Sequence, residues 1–215
     1  MTSGCCGPDF DAAFDRRAAR RELAAYQRAG ATGTARRLVE AIRSAGVQGA
    51  TILDIGGGIG TVGFELLAAG ASRLTEVDAA RAYIDAARGE AARRGLADRA
   101  SFMHGDFVAL ADAVATADVV TLDRVICCYG NWRLLVERST ARARRLYGIA
   151  YPVERPWMRV LVGLGNLASR LAGRRFRFYV HPERAVDAAI RGRGFRTLVR
   201  ERGLAWQTVV YERIR

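Results

Sequence analysis

Along the chain, short apolar runs bounded by glycine or charge alternate with longer segments whose apolar residues return every three or four positions. Residues 1–10 carry no such pattern and read as a loose tail. The helical period predicts a helix over 11–28, with Phe14, Leu23 and Tyr26 among many charges. A second follows over 34–44, with Leu38, Val39 and Ile42 on one side. Gly46 and Gly49 then break the chain before a first strand at 51–55. From there the pattern gives a helix from about 60 to 67, a strand at 73–77, a helix at 80–94 and a strand at 100–104. A short helix at 107–113, a strand at 117–122, a helix at 131–145 and a strand at 146–150 complete the series. Alternation of this kind, with apolar strands, implies a parallel sheet covered by helices on both faces.

After Pro152 the rhythm changes. Residues 157–171 are apolar but include Arg159 and Arg170, and the stretch is too short and too charged to span a bilayer. His181-Pro182 precedes a helix reaching about 191. Residues 195–200 and 204–213 read as two strands joined at Gly203, an antiparallel hairpin. The expected organisation is a helical cap over 1–45 and a main domain over 46–215, with 152–182 as a lid or wall over the substrate.

The sharpest local signal is Thr51-Ile-Leu-Asp-Ile-Gly-Gly-Gly-Ile-Gly-Thr-Val-Gly63, a buried strand running through a glycine turn into a helix. Glycines there let a ligand approach the main chain, beside the free N–H groups of the helix's first turn. Gly58-x-Gly60-x-x-Gly63 matches the dinucleotide fingerprint. Asp54 opposes that reading, because it stands two residues before the first glycine, where a pyrophosphate would meet like charge. A cationic ligand without phosphate would welcome it.

Composition sharpens the picture in three ways. At 215 residues, half of them hydrophobic, the chain suits one domain with a substantial core. All 34 basic residues are Arg, and the formal net charge of +12 is unevenly placed: about −1 over 1–132 and about +13 over 133–215. That surplus is either a solvated Arg-rich surface or an attraction for an acidic substrate, an anionic membrane or nucleic acid. The cysteines form two adjacent pairs, Cys5-Cys6 and Cys127-Cys128, with no zinc spacing and no histidine cluster beside them. Reduced thiols in a cytoplasmic protein are expected, with no signal peptide at the start of the chain.

Asp54-x-Gly56-x-Gly58-x-Gly60 resembles the first motif of class I S-adenosylmethionine-dependent methyltransferases. The resemblance implies a Rossmann-like α/β fold, doubly wound, with a mostly parallel seven-stranded sheet ending in an antiparallel hairpin. It implies S-adenosylmethionine as cofactor and S-adenosylhomocysteine as product, with Gly56, Gly58 and Gly60 against the methionine part. Asp78, at the end of the second strand, would accept from both ribose hydroxyls, or cap the following helix, or both. Glu76 is the competing acid, one step inside the strand. Asp106 would bind the adenine amino group and Phe107 pack on the ring; the alternative is an N-cap and a core aromatic. Tyr26 either closes over the methionine end or simply packs.

The fourth strand ends at Asp123, which could help hold the methyl donor, while Arg124 and Tyr129 could face the acceptor. It lacks the Asp-Pro-Pro-Tyr-type sequence of many nucleic-acid amino-methyltransferases, which argues against a nucleic-acid base as substrate. Cys127 and Cys128 read as small buried filler. Further on, Leu122-Asp123, Tyr129, Tyr151-Pro-Val-Glu-Arg-Pro-Trp157, Asn166, Leu171, Tyr179-Val-His181-Pro, Gly194-Phe195 and the closing hairpin follow one another over roughly 90 residues. That order resembles the C-terminal half of magnesium-protoporphyrin O-methyltransferases.

A carboxylate acceptor needs no base, only cations to hold it, whereas a phenol benefits from a proton acceptor. Of the two histidines, His104 stands on the adenine side, so His181 is the candidate base, or else a structural residue. The expected function is O-methylation of a small acidic or phenolic molecule. The rivals are a nicotinamide-dependent oxidoreductase using NAD and a non-catalytic S-adenosylmethionine-binding protein. Peripheral membrane contact through 157–171 is a further possibility, and the oligomeric state is left open.

Overall fold

The computed structural model describes residues 13–173 and 176–214. The tail and Cys5-Cys6 therefore lie outside the described residues, as do the first positions of the helix expected at 11–28. Helix α1 (Arg16–Ala29) starts where the Asp15 side chain accepts from the Ala18 amide at 2.8 Å. It is followed by α2 (Gly33–Ser44), β1 (Thr51–Ile55), α3 (Thr61–Ala68), β2 (Arg73–Asp78), α4 (Arg81–Arg93) and β3 (Ala100–His104). Next come α5 (Phe107–Leu110), β4 (Ala117–Asp123), α6 (Trp132–Thr140) and β5 (Ala143–Pro152). The C-terminal part holds α7 (Pro156–Leu171), α8 (Glu183–Arg191), β6 (Phe195–Arg202) and β7 (Trp206–Arg213).

The strands form one seven-stranded sheet in the order β3-β2-β1-β4-β5-β7-β6. All neighbours are parallel except β7, which runs antiparallel to both β5 and β6. The doubly wound sheet with a closing hairpin is as the sequence implied. Helices cover both faces and enclose two buried clusters, one containing Leu38, Ile42, Ile52, Phe64 and Leu74, the other Leu53, Val120, Tyr147, Tyr211 and Phe195.

One boundary differs clearly from the expectation. The helix predicted over 131–145 ends at Thr140 and the next strand begins at Ala143. Ser139 and Thr140 turn their hydroxyls back onto the Leu135 and Val136 carbonyls, both at 2.6 Å. Arg144 and Arg145, charged enough to suggest a helix surface, instead tie the start of β5 to Asp118 and to the Ala45 carbonyl. Helix α2 is part of the sheet's own cover, with Leu38 and Ile42 so close to β5 that a Cβ on Gly148 would lie 3.0 and 3.3 Å from them.

Candidate active site

A cavity of about 540 Å³ opens beyond the carboxyl ends of β1, β2 and β4. The reversal of strand order beside β1 makes this the usual ligand crevice of an open α/β sheet. At its centre Gly56, Gly58 and Gly60 take φ of 62°, 65° and 84°. Gly57 is there for space: a Cβ would stand 2.8 Å from Glu76 Cγ and 2.9 Å from Asp54 Oδ2.

Asp54 is 1% exposed and takes the Thr121 hydroxyl on Oδ1 at 2.7 Å, while Oδ2 is buried without a hydrogen-bond partner. Burial pushes its carboxyl up to about 7, against the pull of the Thr121 hydroxyl, and Asp123 and Asp78 add repulsion. Register explains an unexpected neighbour. Asp54 pairs with Glu76 across the β1–β2 ladder, so both carboxylates lie on one face. Glu76 is fully buried with neither oxygen partnered, and burial, then Asp54 and Asp78, hold it well above the usual carboxylate range. It does not line the cavity but sits beneath the turn.

Asp78 accepts the Gly58 amide at 3.0 Å and the Ala80 amide at 2.7 Å, so it ties the turn to β2 and orders the approach to α4. Each of its oxygens keeps a second lone pair for a hydroxyl. Asp106 caps α5 through the Val108 amide and receives the Tyr129 hydroxyl at 3.0–3.1 Å from its oxygens. Phe107 is buried beside it on the cavity wall. Tyr26 also lines the cavity; its hydroxyl donates to Glu65 at 2.8 Å and its ring lies under the Arg94 guanidinium.

At the end of β4, burial raises the Asp123 carboxyl while Arg124 and Thr34 draw it back. Its Oδ1 is buried without a partner, and Oδ2 lies 3.5 Å from Arg124 Nε. Arg124 has φ of 60°, the one positive value outside glycine among the described residues, a strained conformation typical of functional turns.

Three expectations change. His181 is buried outside the cavity wall, with Nε2–H donating to the Ile126 carbonyl at 2.8 Å and the ring stacked on Tyr179. Burial lowers its pKa, and the ring is held by the backbone away from the cavity, where the sequence reading places a base. Tyr129 lines the cavity, but its hydroxyl proton is already committed to Asp106 rather than to an acceptor. Cys127 is buried filler, whereas Cys128 reaches the cavity wall. The wall also holds residues that the sequence did not suggest: Phe14, Glu22, Phe176, Phe178 and Trp206. They come from segments far apart in sequence, so no local motif could reveal them.

Charge decides what fits. Among the described residues, five carboxylates line the cavity (Glu22, Asp54, Asp78, Asp106 and Asp123) against one guanidinium, that of Arg124. This set repels a pyrophosphate and suits a ligand with an ammonium, a sulfonium and a ribose diol. Residues 52–146 match the family described as "Methyltransferase domain". Over those residues this is an S-adenosylmethionine-dependent methyltransferase domain. The reading as an NAD enzyme gains no support. No curated protein matches the sequence.

Among solved structures, the methyltransferase fold is shared with magnesium protoporphyrin IX methyltransferase from Synechocystis PCC 6803 with bound SAH. The identity is 19% and the TM-score 0.69, covering 95% of this chain and 96% of that one. An O-methyltransferase family protein from Burkholderia thailandensis aligns with a TM-score of 0.72 at 17% identity, over 95% of this chain and 63% of that one. An O-methyltransferase family 2 protein from Planctomyces limnophilus DSM 3776, in complex with apigenin, gives 0.64 at 16%, over 93% and 62%.

Proposed function

We propose that the methyltransferase transfers a methyl group to an oxygen of a small, aromatic acceptor carrying an acidic group. The observation behind this is the make-up of the cavity wall away from the acidic end. Phe178 and Trp206 meet edge to face at 6.1 Å, Phe14 and Phe176 edge to face at 5.5 Å, and all four line the cavity with aromatic surface. Arg124 lines the same cavity and is the one cationic group to do so among the described residues. Bound S-adenosylmethionine supplies the electrophilic methyl. The chain's own work is to hold the two reactants in line: Asp54, Asp78, Asp106 and the glycine turn on one side, Arg124 and the aromatics on the other.

Residues 152–182 serve as the wall of the acceptor site, which Phe176 and Phe178 support by lining the cavity. The free thiols of Cys127 and Cys128 support a cytoplasmic location. A second reading has one specific support. Asp123, its carboxyl raised by burial and Oδ1 unpartnered, is a proton acceptor at the cavity, as a phenolic acceptor would want.

Labelled S-adenosylmethionine offered with matched aromatic carboxylic acids and phenols separates the two. Carboxylate methylation is expected, with Arg124→Gln raising the acceptor KM roughly 10- to 100-fold, the range of a charge-assisted contact. Turnover of phenols alone, abolished by Asp123→Asn and indifferent to Arg124→Gln, would replace the acid with a phenol.

A further inference from the structure

Helix α7 is amphipathic the wrong way round for a helix packed on a sheet. Its inward side is Met158, which is buried, with half-buried Val162, Asn166 and Ser169. Its outward side is Trp157, Val160, Leu161, Leu164, Leu167 and Leu171, between 41% and 81% exposed. Their spacing keeps them on one stripe along four turns, and Gly163 and Gly165 face open space. A contiguous apolar stripe of this size on a surface marks an interaction site.

Charge identifies the occupant. The helix holds no acid. Arg155 and Arg170 stand at its two ends and Arg177 follows it, and none of the three makes an ion pair among the described residues. The chain as a whole carries +12. Aliphatic side chains on the face, a tryptophan at one end and unpaired guanidinium groups at the margins are the features of a helix lying in a bilayer interface. A second copy of the chain would bring the same positive charge to the contact. No helix among the described residues is long and apolar enough to cross a membrane.

We propose that α7 docks the protein on an anionic lipid surface, its apolar stripe at the level of the acyl chains and Arg155 and Arg170 among the headgroups. The docked helix is fastened to the cavity. The Asn166 side chain donates to the Phe178 carbonyl at 2.8 Å and accepts the Phe178 amide at 2.9 Å, and the Phe178 ring lines the cavity wall. Lipid contact therefore bears on the same segment that bounds the acceptor space.

The test is flotation of the full chain with vesicles of phosphatidylcholine alone and of phosphatidylcholine with phosphatidylglycerol. Binding to the anionic vesicles is expected, falling as salt rises. The pair Leu161→Glu and Leu164→Glu should abolish it. Arg155→Gln with Arg170→Gln should weaken it roughly 30-fold, about a factor of five for each charge removed at a membrane surface. The substituted side chains point outward, so S-adenosylhomocysteine binding by calorimetry should be unchanged in every variant, which separates lost docking from lost folding and from failure of the methyltransferase site. No flotation of the wild type with anionic vesicles would overturn the proposal. So would binding untouched by the Leu→Glu pair, or a concentration-dependent dimer dissolved by that pair without any vesicle binding.

Discussion

Asp54 carries the residue-scale chemistry because its charge is held in the balance. With its carboxyl pushed up to about 7 by burial, it is partly protonated at neutral pH. A cationic methyl donor favours the ionised form, so donor affinity should rise as pH passes upward through 7, with proton uptake by buffer. Calorimetry in buffers of different ionisation enthalpy checks both. Glu76 affects stability with the opposite sense. Its folded carboxyl is raised above its unfolded value, so the stability it allows is complete below the ordinary carboxylate range and is lost as pH climbs through the raised value. Glu76→Gln keeps the shape and removes that loss; its melting temperature should exceed the wild type's at pH 8 by about 2–4 °C, on the order of 1 kcal/mol, with the gap closing as pH falls below the ordinary carboxylate range. Asp54 and Asp78 were legible in the sequence because a strand end followed by glycine fixes where an acid must stand. The closeness of Glu76 to Asp54 was not, since it depends on which residues pair across two strands.

Elements were legible wherever period and punctuation agreed. The β1 strand, the glycine turn and α3 fall where the apolar run and the glycines put them. The α6–β5 junction did not, because arginines used to clasp a neighbouring loop look, in sequence, like a helix surface. Helix α7 was visible as an apolar stretch, but its outward orientation depends on Asn166 gripping Phe178. Asn166→Ala should free that wall and raise the acceptor KM several-fold, with S-adenosylhomocysteine affinity unchanged. Gly60 is a stricter requirement. It combines φ of 84° with a Phe64 ring atom 2.5 Å from where a Cβ would lie. Gly60→Ala should destabilise the fold by roughly 1–3 kcal/mol and weaken donor binding, read by thermal melting and calorimetry together.

At the scale of the molecule, the two halves divide the work. The parallel part, β1 to β4, presents the acids and the glycine turn, and its motifs are contiguous in sequence. The part after Thr140 brings Phe176, Phe178, Trp206 and most of the positive charge, assembled by long-range packing. Hence the acids and glycines expected around the methyl donor could be placed on one cavity from local motifs, and the aromatic side could not. The distal strands also set an order of events. β7 lies between β5 and β6, so β6, though made first, has no neighbour until the strand after it arrives. On the ribosome, the growing polypeptide would carry an unfinished sheet edge, with β5 bare along the side that later meets Val209, Val210 and Tyr211, until residues 206–213 clear the exit tunnel. Nascent chains arrested before that point should recruit chaperones and yield to protease, and those tethered through an appended C-terminal linker of some 40 residues, about a tunnel's length at roughly 3.3 Å per extended residue, should resist.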